Sequence, residues 1–337
     1  MLRLPAPRAL AALLALPLCA LTACGTGETT PFDGERAMAH VQFLYKFGPR
    51  PAGSRALTQA ADYIQKTLTD LGLKPQVQRW REETYKLDLQ NIWVQIDGED
   101  PENGPILAIG AHYDTKNCQG HPEPGQNFAF HGSIDGTGGP AVLLELARQL
   151  KDRKTKPNIW LVWLDGEENV EFEWTDDEKA LFGSRHFVKE MADDKTRFPK
   201  GLNSRMRAMI LLDLVGDKNP KVDRDTYSNS ELLEVFGDTA KRMRESARMF
   251  ETTSGIKDDH LAFIRYGVAS INLIDFAYRI PQERARKGET APTDSRYVQW
   301  WHTERDNPEQ MSPFGLKFFG DLVLLALPEI EKRFFGK

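Results

Sequence analysis

Short apolar runs alternate along this chain with stretches whose apolar residues recur at helical spacing. The first pattern marks buried strands and the second amphipathic helices. Helical spacing predicts helices over 37–47 and from Ser54, a capping residue, to about Leu71, with Ala60, Ile64 and Leu68 on the apolar face. Further helices are predicted over 139–150, 178–191, 230–248 and 313–335. Strand-like runs lie near 75–82 and 91–97, then at 105–112, 158–164, 206–215 and 268–275. A Pro/Gly-rich turn, FGPRPAGS, occupies 47–54. Strands alternating with helices predict an α/β fold: three layers, a mostly parallel (mixed) central sheet, helices on both faces. No internal repeat or low-complexity linker interrupts residues 35–337, so a single domain is expected there.

The first residues follow another pattern. Arg3 and Arg8 precede an Ala/Leu-rich run at 9–21 that ends in Leu21-Thr22-Ala23-Cys24. A basic start, an apolar run too short to span a bilayer comfortably and a small-residue cleavage site describe an export signal over 1–23. The tetrad resembles a bacterial lipobox, which implies acylation of Cys24, a lipid bilayer as partner and a flexible tether over 24–34. Within that resemblance Gly25 after the Cys implies the outer membrane, facing the periplasm, with plain secretion or a soluble periplasmic protein as the alternative. The other cysteines are Cys19, lost with the signal, and Cys118, so no intrachain disulfide is expected in the mature protein. With 337 residues, 40% hydrophobic and 28% charged, the chain has ample material for a core, and a net charge of −5 argues against a nucleic-acid partner. Oligomeric state leaves no trace in the sequence.

Candidate chemistry collects at the ends of the apolar runs. NIWLVWL at 158–164 leads into DGEENVEFEW, placing Glu167 and Glu168 just past a strand. GAHYDT at 110–115 puts His112 and Asp114 at the end of a strand, and LLDLVGD at 211–217 puts Asp213 near the end of another. Asp135 sits in the glycine-rich turn SIDGTGG before a helix, and His302 in WWHTERD at 300–306. Each has an ordinary reading as a cap or a hydrogen-bond partner. Together they put acidic and imidazole groups at the carboxyl edge of the strands, where open α/β sheets bind ligands, and mixed O and N donors suit zinc. His186 and His260 read as structural, and His121 and His131 carry no assignment.

These segments, with GSRHF at 183–187 and DDHLAFIRYGV at 258–268, occur in the order found in the zinc-dependent aminopeptidase family. Over roughly 35–335 the chain resembles the animal-type glutaminyl cyclase (glutaminyl-peptide cyclotransferase) branch of that family. The resemblance implies a zinc-exopeptidase-like fold and one zinc ion held by Asp135, Glu168 and His302. It implies Glu167 as the proton carrier, with Asp213 and Asp258 in a hydrogen-bonded network beside it. Trp301, Trp174 and Tyr297 would form aromatic walls, Trp174 at a spacing from the Glu pair one residue longer than the family pattern. The implied substrates are peptides or proteins with N-terminal Gln, closed to pyroglutamate with release of ammonia.

The same family admits a second reading, a two-zinc aminopeptidase in which His112 and Asp213 join a second metal and Asp135 bridges. LLDLVGD, where peptidases more often carry Met after the Asp, and IDGTGG, without their Asp-Asn pairing, lean toward the cyclase. A third reading, an inactive zinc-binding surface module, runs against the retention of every ligand and of Glu167. This chain departs from the cyclase pattern at Lys257, a cation before DDH, at the unpaired Cys118 and in the polar segment 279–299, expected as a loop bordering the site.

Overall fold

The computed structural model describes residues 28–174, 177–276 and 301–336. Eight strands appear among them: β1 (Gln76–Glu82), β2 (Leu87–Ile96), β3 (Ile106–His112), β4 (Asn158–Leu164), β5 (Met206–Asp213), β6 (Val222–Asp225), β7 (Met249–Ser254) and β8 (Ala269–Ile274). Six form one mixed sheet in the order β1-β2-β4-β3-β5-β8. β1, β2 and β4 pair antiparallel, whereas β4, β3, β5 and β8 run parallel. The four parallel strands therefore present their carboxyl ends along a single edge.

Every residue of β3 and β4 is buried, as continuous apolar runs require in a sheet covered on both faces. Alternate residues serve opposite layers. Leu107, Ile109, Ile159, Leu161, Trp163, Ile210 and Leu212 belong to one core with helices α1 (Gly34–Tyr45), α2 (Arg55–Asp70), α3 (Gly139–Leu150), α5 (Ser230–Met243) and α7 (Pro313–Phe335). Ile106, Ala108, Trp160, Val162, Met209 and Leu211 pack on the other face against α4 (Phe182–Asp193) and α6 (His260–Arg265). This is the period-two logic of a pleated strand written twice, and it yields the three-layer α/β architecture expected from the element order.

Local signals set several boundaries. Ser54 accepts a hydrogen bond from the Leu57 amide and caps α2; Ser312 caps α7, with Pro313 at its first turn. Two expectations need correction, and one small sheet was not foreseen. The helix expected over 230–248 ends at Met243, because Arg244 takes a left-handed conformation (φ 63°) and the chain turns into β7. β7 pairs in parallel with β6, a two-stranded sheet without a readable pattern, since VDRD is short and charged. Residues 28–34, expected within a flexible tether, are docked: Phe32 is buried against α7, Thr29 and Thr30 donate to the Asp321 carboxylate, and Asp33 caps α1. No helix among the described residues is long and apolar enough to cross a membrane.

Candidate metal centre and pocket

The four parallel strands deliver the chemistry. His112 is the last residue of β3 and Asp213 the last of β5, while Glu167 and Glu168 follow β4 after the turn Asp165-Gly166. The Asp114 carboxylate holds that turn in place, accepting the backbone N–H of Glu167 at 3.1 Å and of Glu168 at 3.2 Å. Asp135 lies in a tight turn (Ile134–Gly138) leading into α3. Gly136, at φ 84°, makes that turn feasible: a Cβ there would strike the Asp114 carbonyl, and one on Gly138 would strike that of Val215.

Among the described residues two groups of side chains have donor atoms close enough for one cation: Asp135, Glu168 and His302, and His112, Asp135 and Asp213. Asp135 belongs to both. His302 Nε2 lies 3.0 Å from a Glu168 carboxylate oxygen and 3.7 Å from Asp135 Oδ2. His112 Nε2 lies 3.0 Å from Asp213 Oδ1 and 3.3 Å from Asp135 Oδ1, and its Nδ1 is 3.5 Å from Asp114. His302 adopts φ 52°, a strained conformation for a non-glycine residue that costs on the order of 1 kcal/mol. Trp301 stacks on its ring at 4.2 Å between centroids, and Phe130 meets it edge-on at 5.8 Å.

Burial drives the electrostatics. It pushes the Asp135 carboxyl up to about 6 and that of Glu168 up to about 7, with their mutual repulsion adding to the shift of Asp135. Burial lowers His302 to about 3, which favours the neutral imidazole. Glu167 is held well above the carboxylate range by burial, reinforced by Glu168 and Asp258. Asp258 is raised by burial and by Asp213 and Asp259. Burial alone would lower His112, but hydrogen bonds to Asp114, Asp135 and Asp213 outweigh it and raise the imidazole well above its ordinary value. Protons thus stand where a cation would otherwise balance the carboxylates. Asp135 Oδ2 and Glu168 Oε2 are buried with no hydrogen-bond partner. Two orphaned carboxylate oxygens converging with a neutral imidazole fit a divalent ion of the zinc type.

A cavity of about 220 Å³ opens beside this cluster. Trp174, Trp301, Phe276 and Ile274 supply apolar walls, and Glu167, Asp213 and Asp258 line it as well. Asp258 is aimed by its neighbours: its carboxylate accepts the Asp259 N–H at 2.6 Å and the Asn272 side-chain amide at 2.7 Å.

Of the side chains singled out from sequence, the fold brings together His112, Asp135, Glu167, Glu168, Trp174, Asp213, Asp258, Trp301 and His302. Tyr297, Cys24 and the 279–299 segment lie outside the described residues. His260 is buried and bonded to Asp225 at 3.0 Å, whereas His186 stacks on Trp80. Cys118 is a buried free thiol that burial pushes up to about 12.

Sequence reasoning passed over two supporting residues. Asp306, in the segment WWHTERD, accepts the Ile134 N–H at 2.7 Å and the Asp135 N–H at 3.0 Å, tying the His302 loop to the Asp135 turn. Arg50, in FGPRPAGS, is fully buried and donates to the carbonyls of Gly48, His131 and Gly136 and to Thr137 Oγ1. Charges inside such motifs were the available signal, but their partners are backbone atoms, which no pattern of residue types displays.

Comparison with known proteins agrees with this architecture. Residues 91–327 match the description Peptidase family M28. A Drosophila melanogaster glutaminyl-peptide cyclotransferase is 26% identical over 280 residues, covering 73% of this chain and 74% of that protein. The crystal structure of a glutaminyl cyclase from an Acidobacteriales bacterium superposes with a TM-score of 0.76 at 26% identity, over 93% of this chain and 100% of that one. A Zn-dependent exopeptidase from Parabacteroides distasonis superposes with a TM-score of 0.72 at 25% identity, over 89% and 99% of the two chains. By sequence and by its mixed-sheet, zinc-exopeptidase-like fold, the chain belongs to peptidase family M28.

Proposed function

We propose that this chain is a glutaminyl-peptide cyclotransferase that converts N-terminal glutamine of peptides or proteins to pyroglutamate and releases ammonia. The observation that carries the reading is the small apolar-walled cavity ending on Glu167 and Asp258 beside Asp135, Glu168 and His302. Similarity to proteins named for this activity supports it.

Asp135, Glu168 and His302 would hold one zinc ion. When bound, zinc supplies Lewis-acid polarisation of the glutamine side-chain carbonyl and balances charge developing on its oxygen. The remaining work belongs to protein side chains. Trp174, Trp301 and Phe276 hold the glutamine side chain folded toward its own α-amine, which removes much of the entropic barrier to closing a five-membered ring. As the amine nitrogen bonds to the side-chain carbonyl carbon, Glu167 accepts the amine proton and returns it to the departing amide nitrogen, which leaves as ammonia. The raised proton affinity of Glu167 makes it a stronger base than a free carboxylate. Asp258, held by Asn272 and the Asp259 amide, and Asp213 adjust the charge around Glu167.

A second reading has its own observation. Asp135 is shared with the His112–Asp213 group, the arrangement a two-ion aminopeptidase would use. Incubating the metal-loaded protein with Gln-initiated and Gln-free peptides separates the two. Ammonia release with the peptide otherwise intact supports the cyclase; free N-terminal amino acid from either peptide overturns it. We also propose export of the chain as a lipoprotein acylated at Cys24, on the lipobox-like LTAC. Fatty-acid labelling that persists in Cys24→Ser would remove that proposal.

A further inference from the structure

Lys116 is a buried lysine, 2% exposed, in the loop that follows β3. An ammonium group is costly to bury unless its N–H groups are satisfied. Here they are directed at main chain: Lys116 Nζ donates to the Asn169 carbonyl at 2.7 Å and to the Glu171 carbonyl at 2.5 Å. Both carbonyls belong to the loop after β4 that carries Glu168 at one end and Trp174 at the other.

Asp114, two residues earlier, grips the same loop through the N–H groups of Glu167 and Glu168. Thr115, between them, bonds to Arg50 instead: its Oγ1 accepts the Arg50 N–H at 2.8 Å, and its own N–H donates to the Arg50 carbonyl at 3.1 Å. A fixed segment therefore offers an acceptor and then a donor, and each meets complementary main-chain groups of residues 167–171. Beyond Glu168 the loop comes to the surface. Glu171 and Glu173 are exposed, and Val170, Phe172 and Trp174 are half-buried. Packing gives such a segment little hold, so specific bonds set its course. The Val170 N–H donates to the Lys179 carbonyl at 2.9 Å and the Glu171 N–H to the Asn169 side chain at 2.8 Å. Lys116 ties that course to the loop after β3.

We propose that Lys116 is a positioning residue for both halves of the site: by holding the Asn169 and Glu171 carbonyls it sets Glu168 for a cation and Trp174 for the substrate side chain. The Trp174 half rests on the cyclase reading above; the Glu168 half does not. Lys116 also lines a groove with Trp301 and His302, so direct contact with substrate is the competing role, and it predicts a different result.

Lys116→Met keeps the length of the side chain and removes the donors. The variant and the wild type are compared in zinc affinity by chelator competition, in KM and kcat for a Gln-initiated peptide at saturating zinc, and in the urea midpoint of the metal-free protein. Zinc affinity is expected to fall about ten-fold, the low end for lost supports of metal ligands, and KM to rise with kcat changed less. Should Lys116→Met not fold, Lys116→Gln, which leaves a shorter amide donor, is read in the same way. Unchanged zinc affinity overturns the proposal: with a raised KM it assigns Lys116 to substrate contact, and with a lowered urea midpoint alone it assigns Lys116 to stability. Unchanged KM at saturating zinc overturns it as well. If the wild type releases no ammonia from any Gln-initiated peptide, the cyclase reading falls on its own, and the zinc titration still decides the role of Lys116.

Discussion

Asp306 holds Asp135 by its backbone, accepting its N–H at 3.0 Å, while His302, from the same loop, faces the Asp135 carboxylate at 3.7 Å. One loop therefore supplies a donor to the candidate metal group and positions another. Asp306→Asn keeps the size of the side chain but puts an NH2 group against a backbone N–H. Zinc affinity is expected to fall 10–100-fold, as for lost supports of metal ligands, with the fold retained. A chelator-competition titration reads this directly, and wild-type affinity would show that the loop is positioned by other contacts.

Glu167→Gln removes the proposed proton carrier while leaving Asp135, Glu168 and His302 intact. Ammonia release is expected to drop about 10²–10⁴-fold, the range for loss of a general acid–base group. Zinc content measured on the same sample should be unchanged. A variant with near wild-type turnover would take Glu167 out of the chemistry.

Protons and a bound cation would compete for the same buried oxygens. The Asp135 and Glu168 carboxyls are raised to about 6 and about 7, above their unfolded values. In the metal-free protein their protonation therefore contributes stability below the unfolded carboxylate range, and this is lost as pH rises through about 6 to 7. His302, lowered to about 3, acts in the opposite sense, since the unfolded imidazole takes up a proton as pH falls through its ordinary value. For zinc binding the two effects agree. Deprotonated carboxylates and a neutral imidazole are the binding forms, so stabilisation by zinc should grow between about pH 5 and about pH 8. Thermal melts with zinc and with chelator across that range check the sign; a constant gap would contradict it.

Arg50 fastens the FGPRPAGS turn to the carbonyls of His131 and Gly136, on either side of Asp135. Arg50→Ala strands several buried acceptors at once, and a loss on the order of 3 kcal/mol in unfolding free energy is expected. Urea denaturation measures it. A change below about 0.5 kcal/mol, the scale of ordinary surface substitutions, would mean that water replaces the guanidinium without cost.

Much of this protein was legible in its residue order. The runs PILAIGAH, NIWLVWL and MRAMILLD could be read as buried strands because burial on both faces demands uninterrupted apolar residues. Ser54 announced a helix start because its side chain acts within three residues. The placing of His112 and Asp213 at strand ends, and of Glu167 and Glu168 just past one, followed from the same local rules. Local rules failed where partners are remote. β6 and β7 pair with each other, a relationship neither segment's residue pattern displays, and Phe32 docks against a helix nearly three hundred residues later. What the sequence by itself determined was the set of elements, their order and which polar residues terminate the strands. Only the tertiary structure decided that Glu168 and His302, 134 residues apart, stand within 3.1 Å, and that Asp306 and Arg50 brace the turn between them. The reason is geometric: parallel strands gather distant segments at one edge, and the buried backbone groups there take whichever charged side chain the closed fold brings within reach.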